Sequence, residues 1–176
     1  MCTACAAGTY STASNVESCT SCGLGSITDT GTGPGATLCT TCVVGKYSTA
    51  SNVATCTDCA AGKYVGMTGS DAASDCQTCD AGSITNTGSS TGASICTACA
   101  VGKYSTASTA SACGGCMAGQ YAASDGSATC DACSASTYQD AAGQGYCKVC
   151  LAGSRTDTGV AAGASLCTAC AAGTYS

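Results

Sequence analysis

The segment from Cys42 to Cys56 reads CVVGKYSTASNVATC. Its pattern, C-x-x-G-x-Y followed by a loop of small residues and a closing cysteine, recurs along the whole 176-residue chain. Cys5 to Cys19 (CAAGTYSTASNVESC) and Cys99 to Cys113 (CAVGKYSTASTASAC) are near copies. Three longer segments replace the Tyr step by G-S-x-T and carry three more residues: Cys22 to Cys39 (CGLGSITDTGTGPGATLC), Cys79 to Cys96 (CDAGSITNTGSSTGASIC) and Cys150 to Cys167 (CLAGSRTDTGVAAGASLC). Cys59 to Cys76 is a hybrid, long but carrying Gly62 and Tyr64. Self-similarity of this kind decides the architecture before any local propensity does.

All 20 cysteines fall into ten C-x-x-C pairs, whose first members are residues 2, 19, 39, 56, 76, 96, 113, 130, 147 and 167. The steps between them are 17 or 20 residues, so residues 1–176 read as one tandem array of ten nodes and nine units, with no separate domains. The text CTACAAGTYS stands at Cys2 to Ser11 and again at Cys167 to Ser176, an offset of 165 that equals the sum of the nine steps. The expectation is one period of a longer array with overlapping ends, in which Met1 takes the slot held by Leu38, Ile95 and Leu166. Met1 is followed at once by Cys2 rather than by a basic and then apolar leader, so a secretion signal is expected elsewhere or already removed.

Composition says what holds such a chain together. The hydrophobic share of 45% is supplied mainly by Ala and Cys, for Phe and Trp are absent. Burying a large apolar side chain is worth roughly 1.5–3 kcal/mol, and ordering the backbone costs about 1–2 kcal/mol per residue. Too few large side chains are present to offset that cost. Twenty cysteines in 176 residues is about 11%, above the roughly 8–10% that marks a disulfide scaffold. Disulfides persist in oxidising compartments, which places the chain outside the cell or on its surface.

The C-x-x-C pairs admit three chemistries. A redox site needs one such pair at a helix start in a βαβ context, and ten evenly spaced copies lack that setting. Two pairs separated by 13 or 16 residues resemble a four-thiolate zinc site, but a zinc array would impose a two-node rhythm, and the steps run 17, 20, 17, 20, 20, 17, 17, 17, 20. Structural disulfides fit best. Bridging the second cysteine of one pair to the first of the next closes each long loop, worth about 3 kcal/mol for a loop of roughly 15 residues. The expected bridges are Cys5–Cys19, Cys22–Cys39, Cys42–Cys56, Cys59–Cys76, Cys79–Cys96, Cys99–Cys113, Cys116–Cys130, Cys133–Cys147 and Cys150–Cys167, with Cys2 and Cys170 unpaired within the chain.

The frame C-x-x-G-[TK]-Y, with its loop and following C-x-x-C, resembles the cysteine-rich repeats of ephrin-receptor-like modules and tumour-necrosis-factor-receptor ectodomains. It also resembles the surface (immobilisation) antigens of ciliates. The resemblance covers the whole chain and implies loops acting as rungs of an elongated, solenoid-like disulfide ladder. The fold class expected is a small disulfide-rich one, mostly irregular with short β-strands and almost no helix. Gly8, Gly45, Gly62, Gly102 and Gly119 stand three residues after a cysteine, where a turn of positive φ suits glycine. Ser136 stands in that slot after Cys133, and one irregular turn is expected there.

With no histidine, Ser/His/Asp and Cys/His catalysis are excluded; no enzyme activity, cofactor or metal is expected. The five basic residues are scattered singly, which argues against a nucleic-acid partner, and no apolar run is long enough to span a bilayer. Tyr10, Tyr47, Tyr64, Tyr104, Tyr121, Tyr138 and Tyr175 are read as packing rings over the disulfides. None of Asn15, Asn52 and Asn86 begins an N-x-[ST] sequon, whereas loops such as Ser26 to Thr37 have the hydroxyl-rich text of O-glycosylated segments. The function expected is structural, in an extracellular fibre, surface appendage or coat, with copies of itself or adjoining repeats as partners. A receptor-like or adhesive ectodomain is the alternative, with the loop from Tyr138 to Tyr146 as its best surface, and a metal-thiolate protein is third.

Peptide mapping without reductant, together with metal analysis, is expected to find the nine loop-closing bridges and no zinc. Bonds within C-x-x-C pairs, or stoichiometric metal, would contradict the loop-closure argument.

Overall fold

The computed structural model describes residues 2–14, 17–106 and 112–174. Contacts divide the chain into two compact halves, Met1–Cys79 with Thr85–Cys96, and Asp80–Ile84 with Thr97–Ser176. Both are built from the same small device. In repeat 3, from Cys42 to Cys56, the strand Lys46–Tyr47 pairs antiparallel with Thr57–Asp58, in the register Lys46 to Asp58 and Tyr47 to Thr57. The second strand is the spacer of the C-x-x-C node that ends the repeat. Repeat 7 repeats the arrangement with Gln120–Tyr121 against Asp131–Ala132, and repeat 9 with Ser154–Thr156 against Cys167–Ala169. Among the described residues the sheets are all two-stranded. The one helical turn among the described residues is the 3-10 segment Ala73–Asp75, where the Asp75 carboxylate accepts the N–H groups of Asp71 and Ala72 at 3.1 Å each.

Two-stranded hairpins are marginal in water by themselves, so each repeat must be held by something more. Within each half the support comes from the next repeat. In the first half, Gly45 donates its N–H to the Val65 carbonyl (2.8 Å), Ser48 to Ser70 (3.0 Å), and Gly69 of repeat 4 donates back to Cys42 (2.8 Å). In the second half, Gly119 donates to Gln139 (2.7 Å), Ala122 to Gln144 (3.2 Å), and Gly143 of repeat 8 back to Cys116 (2.7 Å). Backbone groups that a larger sheet would pair laterally are paired here from one repeat to its successor, as in other repeat architectures dominated by near-neighbour contacts.

The core follows the same logic. The cysteines that open repeats 1 to 8 are buried, Cys59, Cys116 and Cys133 completely, whereas Cys150 is half-buried, and the small side chains Ala36, Ala93, Ala122 and Ala164 fill the junctions between repeats. Among the described residues Val65 is the largest buried aliphatic side chain, and it forms a compact cluster with Cys59 and Cys76 that is covered by Tyr47 of the preceding repeat.

Glycine at the frame position answers two demands together. At Gly45 φ is +83°, and a Cβ built there would lie 2.2 Å from the carbonyl oxygen of Gly92, two repeats further on. In the second half Gly102 stands in the same relation to Gly143, at 2.0 Å. No side chain fits in that space. Ser136 takes the same left-handed conformation, with φ at 67°, and the turn around it is regular. Thr137 donates to Ser134 at 3.0 Å, as Gln120 does to Met117, and Cys150 donates to Ser136 at 3.3 Å, as Cys133 does to Gly119. The irregular turn expected from the sequence is absent because the hairpin and its disulfide set the conformation, and serine bears the strain.

Gly45→Ala is therefore expected to destabilise the chain by more than the roughly 1–3 kcal/mol of a left-handed alanine alone, because backbone must also move. Gly31→Ala, at a φ of +57° with no atom closer than 3.7 Å to the added carbon, is expected to cost only the conformational strain. Urea unfolding of the two oxidised variants measures the difference; equal losses would show that the close carbonyl carries no weight.

Candidate functional site

The cysteines meet across the loops. The structure joins Cys5 to Cys19, Cys22 to Cys39, Cys42 to Cys56, Cys59 to Cys76, Cys79 to Cys96, Cys99 to Cys113, Cys116 to Cys130, Cys133 to Cys147 and Cys150 to Cys167. Cα separations of 5.6–5.8 Å lie in the ordinary disulfide range. Each bridge ties the start of a repeat to the first residue of its second strand or to the one just before it, so loop and hairpin are closed by the same bond. Cys2 and Cys170 carry free thiols, the first exposed and the second half-buried.

The tyrosines Tyr10, Tyr47, Tyr64, Tyr104, Tyr121 and Tyr138 are half-buried and occupy the first strand of their repeats; Tyr175 lies outside the described residues. Tyr47 packs on the Cys59 and Cys76 cluster of the following repeat. Tyr138 has the Lys148 ammonium 5.8 Å from its ring centroid, and Lys148 is its cross-strand partner. Lys148 also reaches Asp140 at 2.5 Å. That hydrogen bond, reinforced by the opposite charge, lowers the Asp140 pKa and raises that of Lys148.

The loop from Tyr138 to Tyr146 is organised from inside. Gln139 is completely buried; its amide nitrogen donates to the Tyr146 carbonyl at 2.6 Å and its amide oxygen accepts the Ala141 N–H at 3.1 Å. In the other repeats this slot holds Ser11, Thr28, Ser48, Val65, Thr85, Ser105, Ala122 or Thr156. With its interior polar groups satisfied, the loop leaves Tyr146 exposed, and Val149 and Leu151 follow it on the surface at 72% and 81% exposure. Nothing in the repeat pattern marks Gln139 as a loop organiser; the only signal is a long polar residue in a slot of small ones.

The long loops contain a second device that sequence reasoning missed. In repeat 2 the Asp29 carboxylate accepts both the N–H (3.1 Å) and the hydroxyl (2.9 Å) of Thr37. In repeat 9 Asp157 accepts the N–H (3.1 Å) and hydroxyl (2.9 Å) of Ser165. Asn86 does the same neutrally in repeat 5, its side-chain oxygen accepting the Ser94 N–H at 3.1 Å and its amide donating to the Ser94 hydroxyl at 3.2 Å. The signal was present as T-[DN]-T-G in all three long segments. Partial desolvation pushes both carboxylates up, but the bonds they accept from Thr37 and Leu38, or Ser165 and Leu166, outweigh it and hold both below the ordinary aspartate value.

Two comparisons bear on what this ladder is. Residues 119–165 match the family described as tyrosine-protein kinase ephrin type A/B receptor-like. With nine disulfides set in C-x-x-C text, the match supports a cysteine-rich, ephrin-receptor-like repeat array. No curated protein matches the chain. No helix among the described residues is long and apolar enough to cross a membrane.

A carboxylate held below its ordinary value stabilises the native loop at neutral pH, and that contribution is lost as pH falls through the folded-state value. Acidification below pH 4 is thus expected to speed amide exchange at Thr37 and Ser165, after correction for intrinsic rates, while Ser94, clamped by Asn86, stays protected. Equal loss at all three would overturn the assignment, and Asp29→Asn is expected to remove the pH dependence at Thr37 without opening its loop.

Proposed function

We propose that the chain is a structural protein of an extracellular fibre, surface appendage or coat, with no catalytic activity, cofactor or metal, whose partners are adjoining repeats or further copies. The observation that carries this reading is that within each half repeats hydrogen-bond through their backbones to their immediate successors, with the same positions donating and accepting from one junction to the next. Such contacts depend little on side-chain identity, so repeats can be added without a growing core. The near-identical loop text points the same way, since a recognition surface needs a distinctive face. The nine disulfides call for an oxidising compartment, and a disulfide-rich module resembling ephrin-receptor-like repeats suits the cell exterior.

A receptor-like or adhesive ectodomain is the second reading, and it has its own support. The matched segment 119–165 contains the atypical loop from Tyr138 to Tyr146, followed by the exposed Val149 and Leu151. Large exposed apolar groups beside an ordered loop are a common mark of binding surfaces.

Electron microscopy of the protein isolated from the cell surface, with denaturing gels run with and without reductant, tests the first reading. Ordered filaments or a continuous coat are expected. A dispersed protein that binds cells saturably, and loses that binding on combined Val149→Ser and Leu151→Ser substitution with its bridges intact, would replace it by the second.

A further inference from the structure

The three long loops have the same framework, so their hydroxyls can be compared position by position. Thr28, Thr85 and Thr156 are buried and donate to the carbonyls of Gly31, Gly88 and Gly159 at 2.6–3.0 Å. Thr30, Thr87 and Thr158 donate to Gly33, Ser90 and Ala161 at 2.7–2.9 Å. Thr37, Ser94 and Ser165 are held in the Asp29, Asn86 and Asp157 clamps. At the tip the pattern changes. Thr32 and Ser89 are exposed, as is Ser90 beside the latter, and among the described residues the hydroxyls of all three make no bond to the protein; the position of Thr32 and Ser89 is taken in repeat 9 by Val160, 93% exposed.

We infer that Thr32 and Ser89 are acceptor sites for O-linked glycosylation, and that the loop of repeat 9 is left bare at its tip. A hydroxyl already donating to a carbonyl must break that bond before a transferase can reach it, whereas the tip hydroxyls lose only water. The tip lies in the stretch that distinguishes long units from short ones, among Gly31, Gly33 and the only proline, Pro34, in repeat 2, and Gly88 and Ser90 in repeat 5. These neighbours are small or hold the chain extended, so a transferase can close over the site. The donor is a nucleotide-activated sugar. The hydroxyl oxygen of Thr32 or Ser89 bonds to the anomeric carbon as the bond from that carbon to the diphosphate breaks. The electron pair leaves with the nucleoside diphosphate, and the hydroxyl proton passes to a base of the transferase. No oxidation state changes. The inference rests on the extracellular part of the proposed function, since it needs passage through a secretory compartment, and it does not depend on fibre formation.

The test is site-resolved mass spectrometry, with fragmentation that retains glycans, on the full chain secreted from a eukaryotic cell. Its nine disulfides are mapped in the same digest. The expected result is a hexose or N-acetylhexosamine on Thr32 and on Ser89, with Thr28, Thr30, Thr85, Thr87, Thr156 and Thr158 unmodified. Thr32→Val, which copies repeat 9, is expected to remove one glycan with the bridges unchanged, and Val160→Thr to add one. A chain with all nine bridges and bare tips overturns the inference while leaving the extracellular reading intact, because the bridges record the oxidising passage. Sugar confined to the tied hydroxyls or to the short loops overturns it as well. Failure of the bridges to form is the separate outcome that would remove the extracellular reading, and the inference with it.

Discussion

Everything in this structure depends on one covalent closure, the bond from the cysteine that opens a repeat to the cysteine that ends it. It brings the turn at the frame glycine opposite the C-x-x-C spacer, and a strand of two or three residues can then pair. Without it, a hairpin of that length would not outlast its own entropy. Loops of about 15 residues are where a bridge is worth roughly 3 kcal/mol. The two unit lengths of 17 and 20 residues differ only in the loop, so both place the same hairpin on the same bond.

Small side chains are the second condition. The carbonyl of Gly92 comes within 2.2 Å of where a Cβ on Gly45 would lie, so backbone meets backbone at these contacts. Alanine, serine and threonine fill the remaining space, and their polar atoms find partners locally; among the described residues no buried side-chain polar atom is left without one. A composition that looked poor for a hydrophobic core suits a structure whose repeats pack by their main chains.

The cysteine spacing and the C-x-x-G-x-Y frame made the fold class legible, because chain closure and positive φ are local constraints that leave a mark on the text. The ladder of short antiparallel pairs with almost no helix follows from them. What was not legible depends on contacts between repeats. The frame glycines could be assigned to a left-handed turn, but that a carbonyl two repeats away crowds several of them is invisible in one unit. Ser136 misled for the same reason: its text departs from the pattern while its turn does not. Gln139 and the Asp29, Asn86 and Asp157 clamps were missed because each acts on its own loop's backbone, and their side chains, an amide or a carboxylate among many hydroxyls, look like solvated loop residues.

The placement of the bridges also sets how the chain carries a pulling force. Tension entering a repeat at Cys42 passes through the sulfurs to Cys56 and bypasses the 14-residue separation between them. What remains in the load path is the short run from Cys56 to Cys59, already an extended strand that can lengthen to no more than about 10 Å. Stretching would strip hydrogen bonds between repeats but could release no hidden length from the loops. While oxidised, such a chain cannot draw on its loops for length; reduction would free every loop in turn, so the length it can yield under tension is set by the redox state of its surroundings.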